Sequence, residues 1–362
     1  MPSTAKYCQV LPSTAVVGYV LWRKPRGSRR TLLLMAATGG HLKDLVSSDA
    51  LSRDDLETLL ETAARFAVKP LSESSFLAGE SVVIYMNKAS TRTRLASETA
   101  VAHLGGTPIF VRGDELQIGR GETIGDTARI VSGFAKAFII RTYAQSDVTE
   151  FAKWATIPVI NALTDVDHPT QLLADWVTIR EIFGKKISGR KFTYLGDGNN
   201  MANAWMLMGA TLGAHVTIAT PPGKWAPDNS VVERATKLAA THGGTIELSH
   251  DPEAAARGAS VLYTDVWMSM GDSESVREEK LRDLSGFAVS QQILDLTAPD
   301  SIFMHCLPAH RGEEVAAEVI DGPKSVVWRQ AYHRRTTIQA VLYHLINKDL
   351  KGTNPSTISA GR

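Results

Sequence analysis

The sequence predicts an α/β protein with two doubly wound parallel-sheet domains joined by bridging helices. Three observations predict it. The chain has 362 residues, which suggests about two domains. Short apolar, β-branched runs alternate with segments of helical period, the pattern of βα units and a mostly parallel sheet. Polar residues suited to binding recur where the predicted strands end, and in such sheets ligands bind beyond the strand C-termini. The expected division places residues 35–180 and a terminal helix at 329–350 in one domain and residues 185–325 in the other. Residues 1–34 stand outside the fold, as an extension that is disordered or not native.

Composition narrows the functional class. Hydrophobic residues make up 44% of the chain and charged residues 21%, as in ordinary soluble globular proteins. The formal net charge of +1 implies neither nucleic acid nor a membrane surface as a partner. Cys8 and Cys306 lie far apart and make no disulfide framework, so a reducing compartment is expected. No apolar run approaches the ~20 residues of a membrane span. Residues 1–43 contain no Asp or Glu but carry Lys6, Arg23, Lys24, Arg26, Arg29, Arg30 and Lys43. Two readings fit: a transit peptide, which would place the protein in the mitochondrial matrix, or an over-extended start upstream of Met35 in a cytoplasmic protein. The second is favoured.

Taken in order, Ser52 caps a helix over 52–68 whose Leu56, Leu59, Leu60, Ala63 and Ala64 share a face. The run SVVIYM at 81–86 reads as a buried strand. A helix begins near Thr91 and ends at Gly105 and Gly106. Between strand and helix, Ser90, Thr91, Arg92 and Thr93 combine capping hydroxyls, free N–H groups of a first helical turn and guanidinium donors. Together these make a site for a small, doubly charged phosphate. A strand is expected at 107–111 and a helix through Ile124, Ala128 and Val131. Strands follow at 138–140, ending at Arg141, and at 157–160, ending in Asn161. His168 opens a helix running to about Phe183, with Pro169 in its first turn. His168 and Gln171 share one face, and Leu172, Leu173, Trp176 and Ile179 would bury another. This helix is expected to bridge the domains.

The second domain opens with a strand at 191–195, the turn Gly196-Asp197-Gly198-Asn199-Asn200 and a helix rich in Met and Trp. A dinucleotide fingerprint fits poorly there. Met201 takes the place of the third glycine, and the strand at 215–219 ends in Thr220-Pro221-Pro222 where a ribose would want an acid. Strands at 260–263 and 301–304 deliver Asp265 and Cys306 to their C-terminal ends. Asp265 suits a substrate cation or a cap, and Cys306 alone reads as a core thiol. Ser269-Met270-Gly271 and the polar run after it read as a mobile loop.

Four motifs appear in order over about residues 40–350: STRTR at 90–94 with Lys88 nearby, HPTQ at 168–171, GDGNN at 196–200 and HCLPAHRGEE at 305–314. They resemble the aspartate/ornithine carbamoyltransferase family, and HCLPAHRGEE resembles its ornithine-specific branch. The resemblance implies transfer of the carbamoyl group of carbamoyl phosphate to the side-chain amine of L-ornithine, giving L-citrulline and phosphate. This is a step of arginine biosynthesis, here carried by a cytoplasmic homotrimer with shared active sites. Domain 35–180 with the terminal helix would bind carbamoyl phosphate through Ser90, Thr91, Arg92, Thr93, Arg141, His168, Gln171 and Arg334. Cys306 and Leu307 would join them, and Gln117 would reach into a neighbouring subunit's site. Domain 185–325 would bind ornithine through Asn200, Asp265, Ser269 and Met270. Catalysis would fall to Arg141, His168, Asp265 and Cys306, and the Leu307-Pro308 peptide would be cis. Phosphate is already a good leaving group, so neither a metal nor an organic cofactor is expected. The chain departs from the family pattern at Asn87, where Glu is usual, and in LASE at 95–98. It also departs at Tyr332-His333, where Glu-Asn usually precedes the arginine, which bears on subunit contacts and on the orientation of Arg334. Two other readings stay open: a sister carbamoyltransferase taking putrescine, an acylated ornithine or aspartate, and a catalytically silent binding protein on the same fold.

Overall fold

Side-chain alternation along the strands decides the architecture. In β1 (Ser81–Met86), Val82, Ile84 and Met86 enter one core cluster while Val83 and Tyr85 enter another, because successive strand residues face opposite ways. A strand apolar on both faces needs helices on both. The computed structural model, which describes residues 41–118, 121–268 and 273–353, supplies them. The 1–34 extension, Ser269 and Met270 lie outside the described residues.

β1 pairs with β2 (Thr107–Arg112) and β3 (Ala137–Arg141), and β3 with β4 (Val159–Leu163), in an all-parallel sheet of order β2-β1-β3-β4. One face is covered by α1 (Arg53–Val68), α2 (Thr91–His103) and α5 (Pro169–Phe183), the other by α3 (Ile124–Phe134) and α4 (Gln145–Trp154). Ser52 and Asp55 close a capping box at the start of α1, which satisfies two otherwise orphaned N–H groups.

The second sheet contains β5 (Lys191–Leu195), β6 (His215–Ala219), β7 (Thr245–Ser249), β8 (Val261–Thr264) and β9 (Ile302–His305), all parallel, in order β7-β6-β5-β8-β9. Its helices are α6 (Asn200–Leu212), α7 (Asn229–His242), α8 (Pro252–Ala256), α9 (Glu274–Leu284), α10 (Gln291–Asp295) and α11 (Ala317–Ile320). The last helix, α12 (Val327–Asn347), packs back against α1, α2 and α5 and touches β9.

A strand boundary and a helix end differ from expectation. β4 begins two residues late because Pro158 has no N–H to donate to a ladder. Asn161 therefore lies within the strand, fully buried, donating from Nδ2 to the Val46 carbonyl at 3.0 Å. It does not sit at the strand's C-terminal end. The final helix stops at Asn347 rather than 350, because Lys348 takes a left-handed conformation at φ 60°.

α5 is buried from Pro169 through Ile179 because it lies between the sheets. Its Trp176 meets Phe192 of β5 at 5.0 Å and Trp205 of α6 at 5.7 Å between ring centroids, so one apolar core runs through both sheets. Strand order reverses between β1 and β3 in the first sheet and between β5 and β8 in the second. Such switch points leave a crevice beyond the strand C-termini.

Candidate active site

The first switch point builds an anion cradle. After β1, Ser90 caps α2 by accepting from Thr93 N at 3.3 Å, which leaves the N–H groups of the helix's opening turn for a ligand. Thr93 Oγ1 accepts from Arg334 Nη2 at 3.0 Å, and Arg334 Nη1 donates to Gln171 Oε1 at 2.5 Å. Arg141 closes β3 and is anchored through Nε to the Lys88 carbonyl at 3.2 Å. Burial, then the neighbouring Arg334 and Arg92, pulls Arg141 down to about 10. Burial likewise brings Arg334 to about 10 and lowers Arg92. All three stay cationic at neutral pH. The partners of Arg334 are neutral side chains, and its buried Nε has no hydrogen-bond partner among the described residues. Guanidinium groups crowded in this way favour a multiply charged anion.

His168, the residue before α5, is buried beside these arginines. Burial first, then Arg334, Arg141 and Arg92, holds it well below its usual range, so the ring is neutral. A neutral imidazole can still donate one N–H to a carbonyl oxygen. Gln171, three residues on, turns its oxygen to Arg334 and its NH2 to Asp175 Oδ1 at 2.8 Å.

The second switch point supplies a different chemistry. Asp265 follows β8 and Cys306 follows β9. The Cys306 thiol donates to Asp265 Oδ1 at 2.7 Å, and Asn199 Nδ2 donates to Asp265 Oδ2 at 3.0 Å. Burial, then the Asp265 charge, pushes the thiol well above its ordinary range, so Cys306 is a donor at rest and not a thiolate. The next residue, Leu307, has φ 59° and begins a cis peptide to Pro308. Its strained backbone is fixed because Leu307 N donates to His305 Nδ1 at 2.8 Å, while His305 Nε2 faces Glu314 Oε1 at 3.2 Å. The His305 tautomer follows: Nδ1 accepts and Nε2 carries the proton. Asp265, His305 and Cys306 lie close enough to surround a metal ion, but both nitrogens of His305 are already committed to this turn.

The structure brings Ser90, Thr93, Arg92, Arg141, His168, Gln171 and Arg334 together, and sets Asp265, Cys306 and Leu307 beside them: the charge of Asp265 acts on Arg92. Thr91 is exposed in the first turn of α2, and Gln117 is exposed in the loop between β2 and α3. Asn200 does not reach Asp265. It donates across to the Thr164 carbonyl at 3.2 Å, and its neighbour Asn199 makes the Asp265 contact. Sequence reasoning missed Asn199, Asp175, His305 and Glu314. Asp175 was signalled by its spacing of four from Gln171 on a helix. His305 and Glu314 bracket the HCLPAHRGEE motif, but nothing in the sequence pairs them. The Tyr332-His333 departure leaves Arg334 in place, since His333 is buried and its Nε2 meets Glu181 Oε2 at 2.9 Å on the neighbouring α5.

Two models of one protein family match the chain. Residues 43–181 match the family model described as aspartate/ornithine carbamoyltransferase, carbamoyl-P binding domain, and residues 188–345 match its Asp/Orn binding domain. The ornithine carbamoyltransferase of Symbiobacterium thermophilum is 46% identical over 302 residues, covering 83% of this chain and 96% of that protein. The anabolic ornithine carbamoyltransferase of Pyrococcus furiosus is also 46% identical, over 83% of this chain and 95% of its own length. A solved structure of the ornithine carbamoyltransferase from Pyrococcus furiosus superposes with a TM-score of 0.79, at 46% identity, over 83% of this chain and 96% of that one.

Proposed function

The chain belongs to the aspartate/ornithine carbamoyltransferase family, and on that premise we propose that it transfers the carbamoyl group of carbamoyl phosphate to the side-chain amine of L-ornithine. The products are L-citrulline and phosphate. The observation that carries this reading is the meeting of three crowded guanidinium groups with an Asp265–Cys306 pair across the two switch points.

Arg92, Arg141, Arg334 and the first turn of α2 hold the phosphate. His168 and Arg141 donate to the carbonyl oxygen, where negative charge develops as the amine adds; donors already aimed there stabilise the transition state without reorganising. The amine nitrogen bonds to the carbonyl carbon, the carbon–oxygen bond to phosphate breaks, and the nitrogen's proton passes to the departing phosphate. Free ornithine carries an ammonium with a pKa near that of lysine, so only about one molecule in 10³ is neutral at pH 7. Asp265 attracts that cation, and the Cys306 thiol, held as a donor, fixes the carboxylate that receives it. Ser269 and Met270 are proposed to hold the α-substituents of ornithine, with Asn200. Leu307, the residue after Cys306, is proposed to join the carbamoyl phosphate contacts. Gln117, exposed on a loop at the edge of the first sheet, is proposed to enter a neighbouring subunit's site in a homotrimer. No helix among the described residues is long and apolar enough to cross a membrane. A cytoplasmic place in arginine biosynthesis is proposed by analogy with the prokaryotic relative named anabolic.

Citrulline formation measured from pH 6 to 9 tests the assignment, with putrescine, N-acetylornithine and aspartate as parallel acceptors. Ornithine-dependent turnover rising with pH is expected, following the neutral amine. Turnover with another acceptor alone moves the chain to a sister specificity. Calorimetric binding of carbamoyl phosphate without turnover makes it a silent binding protein.

A further inference from the structure

Asp175, on α5, is fully buried, and the reaction described above leaves it unused. Its Oδ1 accepts from Gln171 Nε2 at 2.8 Å and from Gln330 Nε2 at 2.7 Å. Gln330 lies on α12, equally buried, and its Oε1 accepts from His305 N at 3.0 Å. Tyr263 of β8 stands over the pair, its hydroxyl 3.2 Å from Gln330 Nε2. An amide's oxygen and nitrogen look alike by shape, and usually only their partners tell them apart. Here the partners leave no choice. Oδ1 of Asp175 faces both amides and accepts from them, ionised or with its proton on Oδ2, so each glutamine turns its NH2 to Asp175. Arg334 and the His305 N–H only donate, so each glutamine turns its oxygen to them. Flipping either amide breaks two hydrogen bonds in a buried site.

The two amides lead to different halves of the site. Gln171 continues to Arg334 and from there to Thr93 of the phosphate cradle. Gln330 holds the last residue of β9, one position before Cys306. We propose that Asp175 is a positioning residue that locks the amides of Gln171 and Gln330, and so sets the Arg334 guanidinium and the Cys306 turn relative to each other. It touches no substrate. The proposal rests on the carbamoyl-transfer reading for the roles of Gln171 and Arg334, but the lock itself is a matter of donor and acceptor geometry.

The full-length enzyme tests it. Asp175→Ala frees both amides to flip, and leaving buried polar groups unmatched is expected to raise the KM for carbamoyl phosphate and the calorimetric Kd for inorganic phosphate about 10- to 100-fold. Asp175→Asn keeps an acceptor oxygen for both amides and is expected to recover most of that loss. Combined with Gln171→Ala, Asp175→Ala should cost little beyond the worse single variant, because the two act through one contact. Gln330→Met removes the contacts of Gln330 with His305 and Asp175 but leaves the chain from Asp175 through Gln171 to Arg334 in place, and is expected to lower kcat/KM for ornithine while moving the phosphate Kd far less. It carries the test if Asp175→Ala does not fold. The proposal is overturned if Asp175→Ala lowers only Tm with Kd and KM at wild-type values, if the Asp175 and Gln171 losses multiply, or if Gln330→Met matches wild type in both readouts. The phosphate arm needs no acceptor, so failure of the ornithine assignment remains distinguishable from failure of the lock.

Discussion

Two buried acids beside the same bridging helix show how single residues here hold function against stability. Burial pushes Asp175 up to about 7, against smaller lowering effects from Gln171, Gln330, Tyr263 and the charge of Arg334. Burial also pushes Asp167 up to about 6, although it accepts from Ser48 N, Ser48 Oγ and His168 N. An acid whose folded pKa is raised binds its proton more tightly in the native state than in the unfolded chain. For Asp175 the native state is therefore favoured below the unfolded value of 3.8, and that advantage is lost as pH climbs from there through about 7. Asp175→Asn removes the ionisation and keeps Oδ1 as an acceptor. Its Tm relative to wild type should therefore be several degrees more favourable at pH 8 than at pH 5. Scanning calorimetry at the two pH values checks this, and a difference that is flat or of the opposite sign shows that Asp175 does not titrate in that window. Cys306 follows the same logic from the other side. Its thiol is driven up by burial and by Asp265, which suits a hydrogen-bond donor and not a nucleophile.

Among the elements, α9 follows β8 and the stretch containing Ser269 and Met270, and two of its ties lead toward the candidate site. Lys280 pairs with Asp197 at 2.8 Å and donates to the Trp267 carbonyl at 2.6 Å, while Arg277 pairs with Glu313. The first tie ends in the turn after β5 and the second in the turn after β9, which carry Asn199 and Cys306. Lys280 and Asp197 are both buried, so opening the tie disturbs two charges held out of water. Lys280→Met is expected to cost about 3 kcal/mol of stability. It should also raise the KM for ornithine while leaving that for carbamoyl phosphate near wild type, since the cradle lies in the first sheet. Steady-state kinetics with each substrate varied in turn decides it; equal effects on both KM values would show that α9 serves the whole molecule and not the acceptor side. None of this was legible beforehand. The sequence offered no reading of α7, β7, α8 or α10, whose residues are polar, exposed or short, and an ion pair 83 positions apart leaves no local signal. The strands that were legible, such as β1, β5 and β6, are those buried on both faces, where near-continuous apolar runs mark them out.

At the scale of the whole molecule, the motifs were readable and their meeting was not. Ser90, Arg141, Asp265 and Cys306 each announced themselves at a strand end, and parallel sheets place ligands there. Arg334 could be placed only by resemblance, because α12 has to return to the first sheet before its guanidinium reaches Thr93. That return, with α5, makes the two sheets share one core. Trp176 packs on Phe192 and Trp205, and α12 packs on α1, α2 and α5 while touching β9. Two α/β halves joined by a thin linker would melt separately, but halves joined through a continuous core unfold as a unit. Tryptophan fluorescence, to which the buried Trp176 and Trp205 of the junction contribute among the chain's seven tryptophans, should therefore give the same midpoint as far-UV circular dichroism. Carbamoyl phosphate at 100 times its Kd adds about 2.7 kcal/mol to a state that binds it. It contacts the first sheet, yet it should move the whole transition upward with no part left behind. A melt that splits on adding the ligand, with one step moving and one fixed, would show that the α5 and α12 junction does not couple the halves, and with it would go the argument that Asp175 links their two sites.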